Sequence, residues 1–148
     1  MGAEESFEFD LPQQVGEAPT LVLAAGDAGD LAELQLWLQG FATPVFGAVF
    51  LEVFAPHQQT ELWLPAGVSC TWLCRETSKR GYLPGWGKPR GLALREAVSS
   101  WLAEWAPHEE TGEIHVWAGA QSSSIMRSYW LRVEREFMKS RNRQERYV

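Results

Sequence analysis

The run "TLVLAA" (Thr20–Ala25), with the longer "VFGAVFLEVF" (Val45–Phe54), constrains this chain more than any other feature. Neither alternates apolar with polar residues. The second is rich in β-branched and aromatic side chains and too short for an isolated amphipathic helix. A strand that is apolar on both sides must be covered on both faces, and this is the state of a strand inside a parallel sheet. Between the two runs lies a helical pattern. Leu31, Leu34, Leu38 and Phe41 form one stripe, Asp30 can cap its start with Glu33 three residues on, and Gly40 marks its end.

The remaining chain continues the alternation. "ELWL" (Glu61–Leu64) reads as a short extended piece, "SCTWLCR" (Ser69–Arg75) as a third strand and "EIHVWAG" (Glu113–Gly119) as a fourth. "ETSKRGYLPGWGKPRG" (Glu76–Gly91) is a loop by its glycines and prolines. Leu94, Ala97, Val98, Trp101 and Trp105 share a helical face that Pro107 ends. The serines at 122–124 offer an N-cap to a helix carrying Met126, Tyr129, Trp130, Val133 and Phe137 on one side. "RYV" at 146–148 can begin a fifth strand. Residues 1–19, broken by Pro12, Gly16 and Pro19, read as an irregular lead-in, and residues 20–148 as one domain.

Strands alternating with helices predict an α/β fold: a doubly wound sheet, mostly parallel, of about five strands with helices on both faces. Such sheets take ligands outside the carboxyl ends of their strands, where the winding reverses. If the first and fourth strands are neighbours there, the Gly26-Asp27 turn and the Ala118-Gly119-Ala120 turn flank one crevice.

Charge narrows the function. The net charge is −6, yet the first 74 residues hold ten acids and no Lys or Arg, while all thirteen bases lie beyond. An acidic chain is not a non-specific nucleic-acid binder. Seven bases fall between Arg127 and Arg146, where they make either a solvated face or an anion-attracting one; Arg127, Arg132, Arg135 and Lys139 are the residues concerned. No apolar run is long enough to cross a bilayer, and the acidic "MGAEESFEFD" is not a secretory signal, so no membrane insertion and a cytoplasmic location are expected. Cys70 and Cys74 lie four apart in a strand, about 13 Å along it and too far for a disulfide, so buried free thiols are expected. The histidines at 57, 108 and 115 lack metal-ligand spacing.

Several residues are candidates for a ligand. Gly26 and Gly119 at strand ends permit positive φ and close approach to backbone, or they are simply tight turns. A helix start behind such a glycine presents free N–H groups to a pyrophosphate. Asp27 suits a ribose or amide donor, or caps the following helix. Arg75, Lys79 and Arg80 follow the third strand, where a nucleotide 2′-phosphate would be read, or form a solvated loop. Ser122 and Ser123 either donate to a phosphate or cap the last helix. Most tryptophans, among them Trp37, Trp101 and Trp130, fall on apolar stripes; Trp86, beside Lys88 and Arg90, is the one expected to be exposed.

The stretches "LVLAAGDAGDLAEL" and "IHVWAGAQSSSIMRSYWLRVER" resemble the nucleotide-binding half of the siderophore-interacting protein family. These are bacterial flavin-dependent ferric-siderophore reductases of the ferredoxin–NADP reductase superfamily. In that family the first strand ends in Gly-Asp-Glu-Thr-Ala-Leu-Pro, and a later one in Trp-x-Ala-Gly-Glu before an arginine-rich helix. "VFLEV" and "TWLCR" are similar to its second and third strands. The resemblance implies a Rossmann-like domain holding NADPH or NADH, with Asp27 matching the family's Asp; with the positional candidates, the residues expected to line the site are Gly26, Asp27, Arg75, Lys79, Arg80, Gly119, Ala120 and Ser122. It implies FAD only through a partner, since no flavin barrel is found in these 148 residues. The domain is then expected to lack reductase activity alone and to act with a separate flavoprotein in siderophore iron release. Gly29 and Ala32 stand where the family has Thr and Pro, and Ala120 where it has Glu. These departures support the alternative, a non-catalytic module that binds an iron-uptake partner or itself.

Overall fold

The computed structural model describes residues 20–76, 88–106 and 113–146, with side chains as far as Phe137. The lead-in at 1–19, Lys79, Arg80, Trp86, Pro107, Tyr147, Val148 and the side chain of Lys139 lie outside the described residues.

Four strands form the sheet: β1 (Leu21–Asp27), β2 (Phe46–Val53), β3 (Gly67–Cys74) and β4 (Ile114–Ala118). Their order is β3-β2-β1-β4 and every pairing is parallel. Three helices accompany them: α1 (Leu31–Gln39), α2 (Leu92–Trp105) and α3 (Ser124–Arg146). The sheet thus has four strands among the described residues rather than about five. Arg146, expected to open a fifth strand, is instead the last residue of α3. Glu61–Leu64 joins no strand; Leu62 and Leu64 pack on the core from an irregular segment, and Gln35 pairs with the backbone of Trp63 at 3.1 and 3.2 Å.

The apolar runs dictate two layers. Val22, Leu23, Ala24 and Ala25 are all fully buried because successive side chains of β1 point to opposite, covered faces. Val22, Ala24, Val49 and Leu51 meet Leu34 and Leu38 of α1 on one face. Leu21, Leu23, Ala25 and Ala48 meet Leu94, Val98 and Trp101 of α2 and Met126, Tyr129, Trp130 and Val133 of α3 on the other. Each fully buried Leu or Val contributes about 1.5–3 kcal/mol, so this pairing of faces dominates the choice of fold.

The chain winds from β1 through β2 to β3 on the α1 face, then returns over the other face through α2 to β4. Opposite directions on opposite faces keep one crossover hand throughout. The winding therefore reverses between β1 and β4, the neighbours anticipated from the sequence. The cysteines depart from expectation: both are free, but neither is fully buried. Among the described residues no helix is long and apolar enough to cross a membrane.

Candidate functional site

The carboxyl ends of the strands lie level. Asp27, the last residue of β1, is in register with Glu52 of β2, and Glu52 with Leu73 of β3. Just beyond them opens a cleft of about 380 Å³ lined by Asp27, Glu52, Phe54, Arg75, Arg90 and Ser122, among others. Of the residues proposed from sequence, Asp27, Arg75 and Ser122 come together here. Glu52, Arg90 and Gln58 join them without having been singled out as ligand residues.

Glu52 is 6% exposed, one of the few polar residues in the core. Its carboxylate accepts the Gly91 N–H at 2.9 and 3.2 Å, fastening the start of α2 to the end of β2. Gly91 is the one residue type suited to this joint. Its φ is +91°, and a Cβ would strike the Ser123 hydroxyl and come within 3.1 Å of Met126. Burial pushes the Glu52 carboxyl above its ordinary value, against the pull of the Gly91 N–H and Arg75.

Arg75 reaches the cleft from the residue after β3. Its Nε stands 4.0 Å from Glu52, its Nη1 donates to the Lys88 carbonyl at 3.4 Å, and its guanidinium lies 5.1 Å over the Phe54 ring. Arg90 comes from the other side of the cleft, donating to the Ser122 hydroxyl and standing 3.9 Å from Asp27. Ser122 Oγ lies 3.4 Å from Asp27 Oδ2. The serine cluster divides its work. Ser123 caps α3 through the Met126 N–H at 3.3 Å and donates to the Arg90 carbonyl at 2.9 Å, which leaves Ser122 to face the cleft. Gln58 closes the far wall, its side-chain oxygen accepting the Phe54 and Ala55 N–H groups at 2.8 and 2.9 Å.

The two glycine turns are adjacent, as the sequence predicts, but the space between them is filled. Asp30 does not cap α1. Its Oδ2 instead accepts the Asp27 N–H at 2.9 Å and the Ala120 N–H at 2.8 Å. Asp27 caps the intervening 3-10 turn by accepting the Gly29 N–H at 3.0 Å. A Cβ on Gly26 would come within 2.9 Å of Asp30 Oδ2 and 3.3 Å of Trp117; one on Gly119 would overlap the Trp117 ring and approach the Ala25 carbonyl at 2.5 Å. The absence of Cβ at both positions makes room for a carboxylate and an indole of the chain itself. Neither glycine has positive φ; Ala120, whose N–H meets Asp30, does, at 56°. Burial, and then the neighbouring Asp30 charge, raise the Asp27 carboxyl above its ordinary value, while the Gly29 N–H and Ser122 lower it. Asp30 is readable in the sequence only as a cap, because its true partner, Ala120, is 90 positions away.

This arrangement places two guanidinium groups and two carboxylates around one opening. It can bind and orient an anion. Redox chemistry would have to come from a bound cofactor. Arg127 lies off the cleft, donating to the Gln121 carbonyl at 2.6 Å, and Arg132 stacks 5.6 Å over the Tyr129 ring.

No protein-family model and no curated protein matches this chain. Solved structures do. The chain is similar to siderophore-interacting proteins. SipS from Aeromonas hydrophila aligns at 22% identity and a TM-score of 0.44, over 68% of this chain and 38% of that one. A siderophore utilization protein from T. fusca aligns at 19% identity and 0.36, over 68% and 45%. The siderophore-interacting protein from Acinetobacter baumannii aligns at 13% identity and 0.36, over 88% and 56%. The chain therefore spans between 38% and 56% of the length of these proteins.

Proposed function

We propose that the cleft binds the phosphate-bearing part of NADPH or NADH, and that the domain works with a flavin held by a separate protein in the release of siderophore iron. One observation carries this reading: Arg75 and Arg90, from the two ends of the connection between β3 and α2, meet at one strand-end cleft in long ion pairs of 4.0 and 3.9 Å. Pairs so long yield readily to a phosphate, which forms shorter charge-assisted bonds. The cleft volume of about 380 Å³ lies at the small end of ligand pockets and suits one nucleotide half. The motifs similar to siderophore-interacting reductases supply the choice of NADPH or NADH. When bound, that group supplies a hydride for the flavin. The chain's own part is to hold the phosphates with Arg75, Arg90 and Ser122.

The test is a titration with NADPH and NADH, followed by tryptophan fluorescence and thermal shift. Saturable stabilisation of the wild type is expected. Arg75→Ala with Arg90→Ala should weaken binding by roughly 100-fold or more, the worth of two lost charge-assisted bonds. The purified chain should be colourless and should not oxidise NADPH unaided. No response at millimolar nucleotide refutes the reading.

A second reading rests on a different observation. Asp27 and Glu52 bring negative charge to the same cleft, and Asp30 with Trp117 fills the glycine corner. These features favour a non-catalytic module that binds an iron-uptake partner through the cleft. A silent nucleotide titration selects it.

A further inference from the structure

At the β1/β4 corner, the backbone N–H groups of Asp27 and Ala120 converge on a single oxygen, Asp30 Oδ2, at 2.9 and 2.8 Å. The Trp117 ring forms a wall, and the two glycines give the carboxylate its room. Two amides from separate strand ends, aimed at one point, are the donor set that a phosphate or carboxylate oxygen takes. Here the point is occupied by an anion of the chain itself. Ala120, which supplies the second donor, has a positive φ, an uncommon state for a residue with a side chain.

We propose that Asp30 is a specificity-determining residue: its carboxylate stands in for an external anion at the switch point, and so keeps anionic ligands out of the β1/β4 corner. Shortening Asp30 to alanine leaves two aligned donors beside a space the size of a carboxylate. Asparagine keeps an acceptor there. The inference goes beyond nucleotide binding and does not depend on it, since it concerns only the corner and small anions.

The test uses the whole chain, labelled with 15N, as wild type, Asp30→Ala and Asp30→Asn. Formate and inorganic phosphate are titrated against each, with sodium chloride as the ionic-strength control. In Asp30→Ala the Asp27 and Ala120 amide signals should shift saturably with formate, and the thermal midpoint should rise more than that of the wild type. Wild type and Asp30→Asn should show no such shift at Ala120, the donor that lies outside the arginine-lined cleft. If Asp30→Ala does not fold in chloride, circular dichroism should show it recovering structure in formate. The proposal is overturned by a folded Asp30→Ala whose two amides ignore both anions. It is equally overturned by an unfolded one that formate does not rescue, or by the Ala120 amide of wild type or Asp30→Asn responding as strongly as that of the alanine variant.

Discussion

Glu52 gives the sharpest test of how the cleft is held together. Its carboxylate is almost wholly buried and takes the Gly91 N–H at 2.9 and 3.2 Å. Glu52→Ala removes an acceptor worth about 1.5–3 kcal/mol to a charged group, and it leaves the Gly91 donor without that partner. Relief of the buried charge offsets part of this, because burial opposes the ionised form. A net loss of about 2 kcal/mol is expected. Glu52→Gln keeps an acceptor of the same reach and should lose less than half as much. The assay is urea unfolding at neutral pH, followed by the fluorescence of the eight tryptophans. With a slope of about 2 kcal/mol/M, the alanine variant should unfold about 1 M earlier than the wild type. The pH dependence follows from the raised carboxyl. The folded chain holds the Glu52 proton to higher pH than the unfolded chain does. Its contribution to stability is therefore complete below the ordinary carboxylate range and is lost as pH rises through the raised value. Glu52→Gln should flatten that fall. The reasoning fails if the glutamine variant is as unstable as the alanine variant, or if the fall with pH persists unchanged in it.

Gly47 in β2 has φ of +151°, and a Cβ there would overlap the Val22 carbonyl and come within 2.9 Å of the Val22 carbonyl carbon. Because the obstacle is backbone, Gly47→Ala should cost more than about 3 kcal/mol and lower the yield of folded protein, checked by circular dichroism. Trp130 Nε1 donates to the Gly119 carbonyl at 2.9 Å in a buried setting, so Trp130→Phe should lose about 1–3 kcal/mol in chemical denaturation, with no change in far-ultraviolet dichroism.

The sequence by itself determined the layers. Apolar runs at Leu21–Ala25 and Val45–Leu51 required cover on both faces, and the stripes of Leu34 with Leu38, Leu94 with Val98, and Met126 with Trp130 supplied it. It made the two glycine turns neighbours only on condition that the first and fourth strands pair, and the sheet meets that condition. The tertiary structure alone decided what fills that corner and where the opening lies. Asp30 and Ala120, or Glu52 and Gly91, are joined by hydrogen bonds that span 90 and 39 positions, and no local pattern records such a partner. A carboxylate immediately before a helix start reads as a cap, while its energy is set by whichever unpaired N–H the fold brings within reach. The cleft accordingly moved from the glycines toward Glu52, Arg75 and Arg90, since the corner was closed by side chains whose directions depend on the packed core behind them.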